Sequence, residues 1–370
     1  MSVPDLPSSE ILESLQTAWG SPLQPTGCDH CKQVFLAEEL RKGQACPLCA
    51  RGKLISQPAV LRTEPPERLI AFQFGRSQVA ETLSRFVKGV WLRPDDFNPT
   101  SLLERISPVY WPMWLVDSDV AGSWQAEIGY DYQVKSSLEA YGNGQWQTNE
   151  VLETRIRWEP RLGRASRHYD NIRVPAFSRH QELSALVGDY RHNAAQVYQP
   201  EQTDGALVMA PDLPPESAWP MAQVRLDQMV QEECRQAAGG QHVRNFDLQA
   251  DYQPLHWTQL LMPVYLTYYR DDEGQPQLIY INGQSGAIGG RRIASQRKGW
   301  LWGAVLAVIA LLAFGLSVFS FSFAAALPFL SVVGVILGFV ALVSGIGAIF
   351  PVVWPWQWNR KQQNIKILQR

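Results

Sequence analysis

Residues 299 to 359 read GWLWGAVLAVIALLAFGLSVFSFSFAAALPFLSVVGVILGFVALVSGIGAIFPVVWPWQWN, and no Asp, Glu, Lys or Arg interrupts them. A single helix of this length would measure about 90 Å at about 1.5 Å per residue, whereas a hydrocarbon core about 30 Å thick is crossed by roughly 20 residues. We therefore expect a transmembrane hairpin over residues 299–359, with spans at about residues 301–321 and 330–353 and a tight turn containing Pro328 between them.

Basic residues flank this hairpin on both sides, and its turn carries no charge. By the positive-inside rule both ends lie in the cytoplasm, so the sequence predicts a two-pass protein of the plasma (inner) membrane with cytoplasmic N- and C-termini. We call the flanking residues the basic collar: Arg291, Arg292, Arg297, Lys298, Arg360 and Lys361.

Tryptophans accumulate at the same end of the hairpin, which is typical of an aromatic belt at a membrane interface. They are Trp300, Trp302, Trp354, Trp356 and Trp358. Inside the second span, Gly334 and Gly338 form a small-xxx-small pair that permits close helix packing, either within the hairpin or between copies in a homo-oligomer.

The charge of the chain is divided unevenly. Residues 1 to 290 hold 25 basic against 35 acidic residues, and residues 291 to 370 hold 8 basic residues and no acidic one. An acidic soluble part argues against nucleic acid as a partner, because nucleic-acid binding rests on phosphate neutralisation. A basic stretch next to the membrane instead favours contact with anionic lipid headgroups. Since the first 25 residues lack the apolar segment of a signal peptide, we expect the part before the hairpin to stay in the cytoplasm.

Two CxxC motifs lie near the N-terminus, Cys28-Asp-His-Cys31 and Cys46-Pro-Leu-Cys49, separated by fourteen residues. Two such knuckles can supply four thiolates to one tetrahedral Zn²⁺, and a reducing cytoplasm favours metal over disulfides. We expect one zinc ion bound by Cys28, Cys31, Cys46 and Cys49. Four cysteine ligands leave no open coordination position, so this zinc would be structural.

The rest of the chain predicts an α+β protein with a β-rich cytoplasmic domain. Alternating, aromatic-rich strands are expected at residues 109–117, 123–134 and 151–158, with a turn at Gly142-Asn-Gly144 and a helix at residues 221–238 that ends at Gly239. Pro112-Met-Trp-Leu resembles Pro263-Val-Tyr-Leu, which suggests an internal duplication. The expected segments are an amphipathic helix and tail (1–26), a zinc ribbon (27–54), two parts of the β-rich domain (67–200 and 220–290), the hairpin (299–359) and a basic tail (360–370).

Several motifs occur in a recognisable order: the CxxC…CPxC ribbon, Tyr110-Trp-Pro-Met-Trp-Leu-Val-Asp, Thr154-Arg-Ile-Arg-Trp, Tyr169-Asp-Asn-Ile-Arg-Val-Pro-Ala, Met262-Pro-Val-Tyr-Leu and Ile281-Asn-Gly-Gln-Ser-Gly. In this the chain resembles bacterial membrane-anchored proteins with a transcription-factor-IIB-type zinc ribbon. The resemblance implies membrane-protein partners of the flotillin-like (SPFH) or phage-shock type. The helicase label given to some members does not fit, because the chain has no GxxxxGK[ST] phosphate loop.

No arrangement of residues predicts catalysis. The six histidines never form HExxH, and no GxSxG nucleophile motif occurs. Asp117 and Asp119 would share one face of a strand, but the end of a strand explains them as well. We therefore expect a non-enzymatic, membrane-anchored scaffold or adaptor. The alternatives are a membrane-tethered nucleic-acid-binding ribbon protein and an accessory subunit of a membrane enzyme or transporter.

Overall fold

The computed structural model describes residues 9–57, 65–142 and 144–362, and within them the protein is α+β, as predicted. Residues 1–8 of the predicted tail, Asn143 of the predicted turn, and Lys366 and Arg370 lie outside the described residues. The helices are α1 (Ser9–Trp19), α2 (Arg76–Lys88), α3 (Pro99–Glu104), α4 (His180–Val187), α5 (Pro215–Ala238), α6 (Gln296–Ser322) and α7 (Phe329–Gln362).

The strands are β1 (Leu23–Cys28), β2 (Val34–Glu38), β3 (Leu54–Ser56), β4 (Arg68–Leu69), β5 (Ser107–Gly142), β6 (Gln145–Pro175), β7 (Gln196–Val197), β8 (Leu207–Met209), β9 (His242–Arg270), β10 (Pro276–Asn282) and β11 (Ile288–Gly290). Two compact units share them. The first unit holds residues 1–112, 177–212 and 261–370, and the second holds residues 113–176 and 213–260. The predicted ranges 67–200 and 220–290 therefore each contribute to both units, because β5 and β9 are long enough to serve in both.

In the first unit, the segment with the cysteine motifs is part of a larger sheet. Its strands follow the order β8-β2-β1-β3, and all of these neighbours are antiparallel. Helix α1 covers this region, where Leu15 and Trp19 are buried against Leu23 and Leu36. Burial of each such side chain contributes about 1.5–3 kcal/mol. Because β2 also pairs with β8, the segment with the cysteine motifs shares its core with the rest of the unit.

A second core of the first unit lies beneath the hairpin β9–β10. Helix α2 contributes Val79, Leu83 and Val87 to it, and β10 contributes Ile279 and Ile281. Helix α3 begins at Pro99 because the Asn98 side chain accepts a hydrogen bond from the Ser101 backbone N–H at 2.9 Å, which is an N-cap. The C-terminal end of α7 packs on the same core through Trp354 and Trp358. The end of the apolar α6–α7 hairpin therefore belongs to this folded unit.

The second unit consists of strands β6, β5 and β9 with helix α5 packed on them. Trp114, Trp124 and Ile128 from β5 meet Leu226 and Val230 from α5 in its core. The αL conformation of Gly239 (φ +71°, ψ +19°) ends α5 at the predicted glycine, because this backbone conformation costs glycine least.

Strand β5 is continuous for 36 residues, so the prediction of separate strands at 109–117 and 123–134 was wrong. The pairing with β6 is irregular between Val116 and Ser118, at the end of the first predicted segment, and the strand continues through residues 118–122. Beyond this point the register is unbroken from Ser118↔Tyr169 to Gly142↔Gln145. A bulge changes the direction of the side chains without ending the strand. An alternating sequence pattern does not show where such a bulge lies.

Candidate metal centre and membrane anchor

The four cysteines of the two CxxC motifs come together in the first unit, with all four sulfur atoms within 4.8 Å of one another. The Sγ atoms of Cys28 and Cys49 lie 3.6 Å apart, and those of Cys31 and Cys46 lie 3.8 Å apart. A tetrahedron of thiolates around a metal with bonds of about 2.3 Å has S–S edges of about 3.8 Å. The donor set therefore fits one structural metal ion.

Each knuckle turns the backbone in the same way. The N–H of Lys32 donates to the Cys28 carbonyl at 3.1 Å, and the N–H of Ala50 donates to the Cys46 carbonyl at 2.8 Å. Lys32 (φ +62°) and Ala50 (φ +53°) are both left-handed, each directly after the second cysteine of its motif. This sharp turn points both sulfurs of a motif in one direction, which is what a chelating pair requires.

Backbone donors support the sulfur of Cys28. The N–H groups of His30 and Cys31 both donate to Cys28 Sγ at 3.4 Å. Asp29, directly after Cys28, accepts the Lys53 backbone N–H through Oδ1 at 2.8 Å, which joins the first knuckle to the residue before β3. Donors aimed at a sulfur hold it in place for a metal.

The close approach of the sulfurs also separates their acidities. Hydrogen bonding with the Cys31 thiol raises the pKa of Cys46 well above its usual range and lowers the pKa of Cys49 well below it. Adjacent thiols thus share their protons unequally, because four thiolates this close repel one another. A divalent cation removes that repulsion and lets all four sulfurs ionise together.

Replacement of Gly52 by Ala is expected to weaken this centre. A Cβ at Gly52 would lie 2.2 Å from Asp29 Oδ1 and 2.6 Å from Cys28 Sγ, so both knuckle residues would have to move. We expect the melting temperature and the amount of metal retained during chelator titration to fall. Gly75→Ala is the matched control, since the nearest atom to its Cβ is 3.9 Å away. Equal metal retention in both variants would contradict this account.

Helices α6 and α7 are long and apolar enough to cross a membrane, as the sequence predicted. Only 17% and 11% of their apolar windows are buried within the protein, whereas the core helix of a soluble protein is mostly buried. Both helices extend past the predicted spans at the charged end. Helix α6 begins early because the Ser295 hydroxyl accepts the Lys298 backbone N–H at 3.0 Å, which caps it.

The predicted tryptophan belt divides into two sets. Trp300, Trp302 and Trp356 expose more than half of their surface, as residues at an interface would. Trp354 and Trp358 instead stack on each other with ring centroids 5.2 Å apart and pack on the core of the first unit. The sequence did not distinguish the two sets, because both follow the same alternation.

The basic collar is also divided. Lys298 Nζ lies 2.5 Å from Asp95 Oδ1, and the Arg292 guanidinium lies 5.3 Å from the ring centre of Phe86 and 5.8 Å from that of Trp358. Arg291 is half-buried, and Arg297 is exposed with its backbone N–H donating to Asp272 at 3.0 Å. Arg360 and Lys361 are exposed at the end of α7, with the Arg360 guanidinium 5.5 Å from the ring centre of Trp356. Lys298 and Arg292 therefore contact other residues of the protein, and less of the collar's charge faces outward than the sequence predicted.

Hydrogen bonds not anticipated from the sequence clamp the two ends of the hairpin together. Asn359 accepts the Ala294 backbone N–H at 2.8 Å and donates to the Ala294 carbonyl at 2.9 Å. The indole N–H of Trp358 donates to the Arg292 carbonyl at 2.5 Å. The only sequence signal for this contact was an asparagine directly after the apolar run. Asparagine is common at such a position, so the sequence did not predict the contact.

Small residues lie where the two membrane helices meet. Gly334 faces the ring of Phe321, and its carbonyl accepts the Ser317 hydroxyl at 2.7 Å; Gly338 also faces the Ser317 side chain. The closest approach is at the charged end, where a Cβ on Gly299 would lie 2.4 Å from the Pro351 carbonyl oxygen. Gly334 and Gly338 thus occupy the interface within the hairpin, one of the two packing modes predicted for them.

No protein-family model, curated protein or solved structure matches this chain. The geometry of the described residues defines the class of protein. It is an α+β protein that combines a four-cysteine centre compatible with one structural metal and two helices able to span a membrane.

Proposed function

We propose that the protein is a cytoplasm-facing, membrane-anchored scaffold that binds partner proteins through a zinc-stabilised ribbon and does not catalyse a reaction of its own. The observation that carries the proposal is that the cysteine centre and the exit of the hairpin belong to one folded unit. A ligand bound by the ribbon would be held at a fixed place on a membrane-anchored body. Zinc is the metal best suited to four thiolates in tetrahedral geometry.

The ribbon offers a surface that its own folding does not require. Leu40, on the short turn at residues 39–41 after β2, is 83% exposed. Next to it, Arg41 Nη2 donates to the Gly205 carbonyl and Glu38 accepts the Gly205 N–H at 2.8 Å. These bonds hold the turn rigidly, and rigid presentation lowers the entropy cost of binding a partner. An exposed leucine on such a turn is suited to fill an apolar pocket of another protein.

The partners that we propose are membrane proteins of the flotillin-like (SPFH) or phage-shock type, with both termini of the scaffold in the cytoplasm. The test is affinity purification of the full chain from detergent-solubilised membranes of its own host, followed by mass spectrometry. We expect such membrane proteins to be enriched with the wild type and reduced at least fivefold with Leu40→Asp. Leu40→Met is the matched control, because it keeps an apolar side chain of similar volume.

Two outcomes would reject this proposal. Recovery of nucleic acid with strongly salt-dependent affinity would favour a nucleic-acid-binding ribbon instead. Retention of the same partners by Leu40→Asp would show that the ribbon turn is not part of the docking surface.

The proposal also predicts where anionic lipid contacts the protein. Since Lys298 is paired with Asp95 while Arg297, Arg360 and Lys361 are exposed, these three should carry most of the lipid contact. Each basic residue near an anionic surface contributes about 1 kcal/mol. We expect Arg360→Gln with Lys361→Gln to lower the number of phosphatidylglycerol molecules retained in native mass spectrometry from mixed-lipid nanodiscs. Lys298→Gln is the control and should retain close to the wild-type number; equal losses would contradict the assignment.

A further inference from the structure

The tip of the β5–β6 hairpin extends as a two-stranded ribbon, which we call the arm (residues 132–142 and 145–155). Strand β9 begins at His242, whose Nε2 lies 2.8 Å from Asp131 Oδ1, so β9 accompanies β5 no further than this point. Among the described strands, β6 pairs with β5 alone. The eleven residues of β5 in the arm therefore have a partner on one edge only, over a length of about 37 Å.

Among the described residues, four large apolar side chains of this arm are more than half exposed. Leu138, Tyr141, Trp146 and Leu152 are 54%, 64%, 68% and 65% exposed. A two-stranded ribbon is marginally stable in water, and an open, long edge is a template for another strand. The arm also contains no proline, and its β5 part carries only one basic and one acidic residue, Lys135 and Glu139. Proline and charged side chains usually protect a strand edge from pairing with another strand, so this edge has little such protection.

The sequence of this edge is complementary to itself. In an antiparallel pair of two copies centred on Ser137, residue numbers that face each other add up to 274, and such residues lie on the same face of the sheet. Lys135 of one copy then faces Glu139 of the other, and the symmetry repeats this contact. Val134 faces Ala140 in the same arrangement. Opposite charges directly across a pair of strands stabilise it, whereas like charges destabilise it.

We propose that the arm is a self-association site, at which the β5 edge of one copy pairs antiparallel with the β5 edge of a second copy about Ser137. The pairing joins two two-stranded ribbons into one four-stranded sheet and satisfies the outward backbone groups of both edges. Within each copy Lys135 already lies 3.2 Å from Glu150, so a second carboxylate from the partner places each ammonium between two acids. This inference is independent of the scaffold function.

Oxidative cross-linking of the full chain in nanodiscs tests the register. Ser137→Cys places two thiols opposite each other at the symmetry axis, where Cβ atoms of facing residues are about 4.5–5.5 Å apart. Gln133→Cys is the control, because its two copies would be eight residues apart along the strands, or about 27 Å. We expect a covalent dimer with Ser137→Cys and at least tenfold less with Gln133→Cys. Equal cross-linking of the two variants, or none with either, would overturn the proposal.

Charge exchange tests the same pairing without new thiols. Lys135→Glu alone and Glu139→Lys alone each place like charges opposite one another, so we expect the dimer dissociation constant to rise about tenfold in each. The double variant Lys135→Glu with Glu139→Lys restores opposite charges, and so does an equal mixture of the two single variants. Recovery of dimer mass by sedimentation in both of these cases supports the arm. A wild type that stays monomeric, or a dimer that resists the single changes, overturns it.

Discussion

Replacement of Cys46 and Cys49 by Ser should release the metal and unfold the ribbon with its neighbours. Cys46 is buried and Cys49 half-buried, and each lies within bonding distance of the same centre as Cys28 and Cys31. The free energy of metal binding in such sites is free energy of folding, about 10–16 kcal/mol for structural zinc in small ribbons. We expect metal content to fall from about one ion per chain to near zero and the melting temperature to fall by more than 10 °C, because one or two kcal/mol already shifts a domain by several degrees.

Cys234→Ser is the matched control for this experiment. Cys234 is buried in the second unit among the side chains of α5 and its sheet and is not part of the cysteine cluster. It should lose a little stability and keep a full complement of metal. A double Cys46/Cys49 variant that retains one metal ion, or melts with the wild type, would refute the structural metal.

Gly299→Leu should disrupt the membrane hairpin at its charged end. A Cβ at Gly299 would approach the Pro351 carbonyl oxygen to 2.4 Å and the Pro355 ring to 3.0 Å, and backbone and ring cannot yield as a flexible side chain does. Overpacking of this kind costs about 1–3 kcal/mol, and here it would also separate Trp354 and Trp358 from their core. We expect faster proteolysis of the first unit and a lower melting temperature in detergent.

Gly315→Leu, in the same helix, separates this effect from a change in helix propensity. Apart from the neighbouring backbone of α6, no atom of the described residues lies within 4 Å of a Cβ at Gly315, so leucine there meets lipid or detergent. The control should match the wild type in proteolysis and melting. Equal damage in both variants would show that the glycines matter for helix flexibility and not for close packing.

Local patterns were sufficient for much of this fold. The CxxC spacing predicted the cysteine cluster, the uninterrupted apolar run predicted two long helices, and Gly239 marked the end of α5 correctly. In each case the signal is held within a few residues, where turn chemistry or apolar length leaves little choice. The proposed duplication of Pro112-Met-Trp-Leu and Pro263-Val-Tyr-Leu stays a prediction.

Features that depend on distant partners could not be predicted. The merging of two strand segments into β5 depends on pairing with β6 across a bulge, and the pairing of β2 with β8 joins residues about 170 positions apart, as in Leu36↔Val208. The division of the basic collar depends on Asp95, which pairs with Lys298 from about 200 positions earlier in the chain. Tertiary context decides such contacts, and composition says only that charges of both signs are present.

The docking of Trp354 and Trp358 on the α2 core has a consequence for how the chain is made. These two tryptophans follow both membrane helices in chain order, yet the core that they complete is built from residues synthesised long before them. Domains usually fold as they emerge from the ribosome, but this core is complete only when the C-terminal end of α7 has been made. The order of synthesis therefore makes α6 and α7 a late step in the folding of the first unit, and a chain that lacks this docking leaves an apolar surface recognisable to the quality-control machinery.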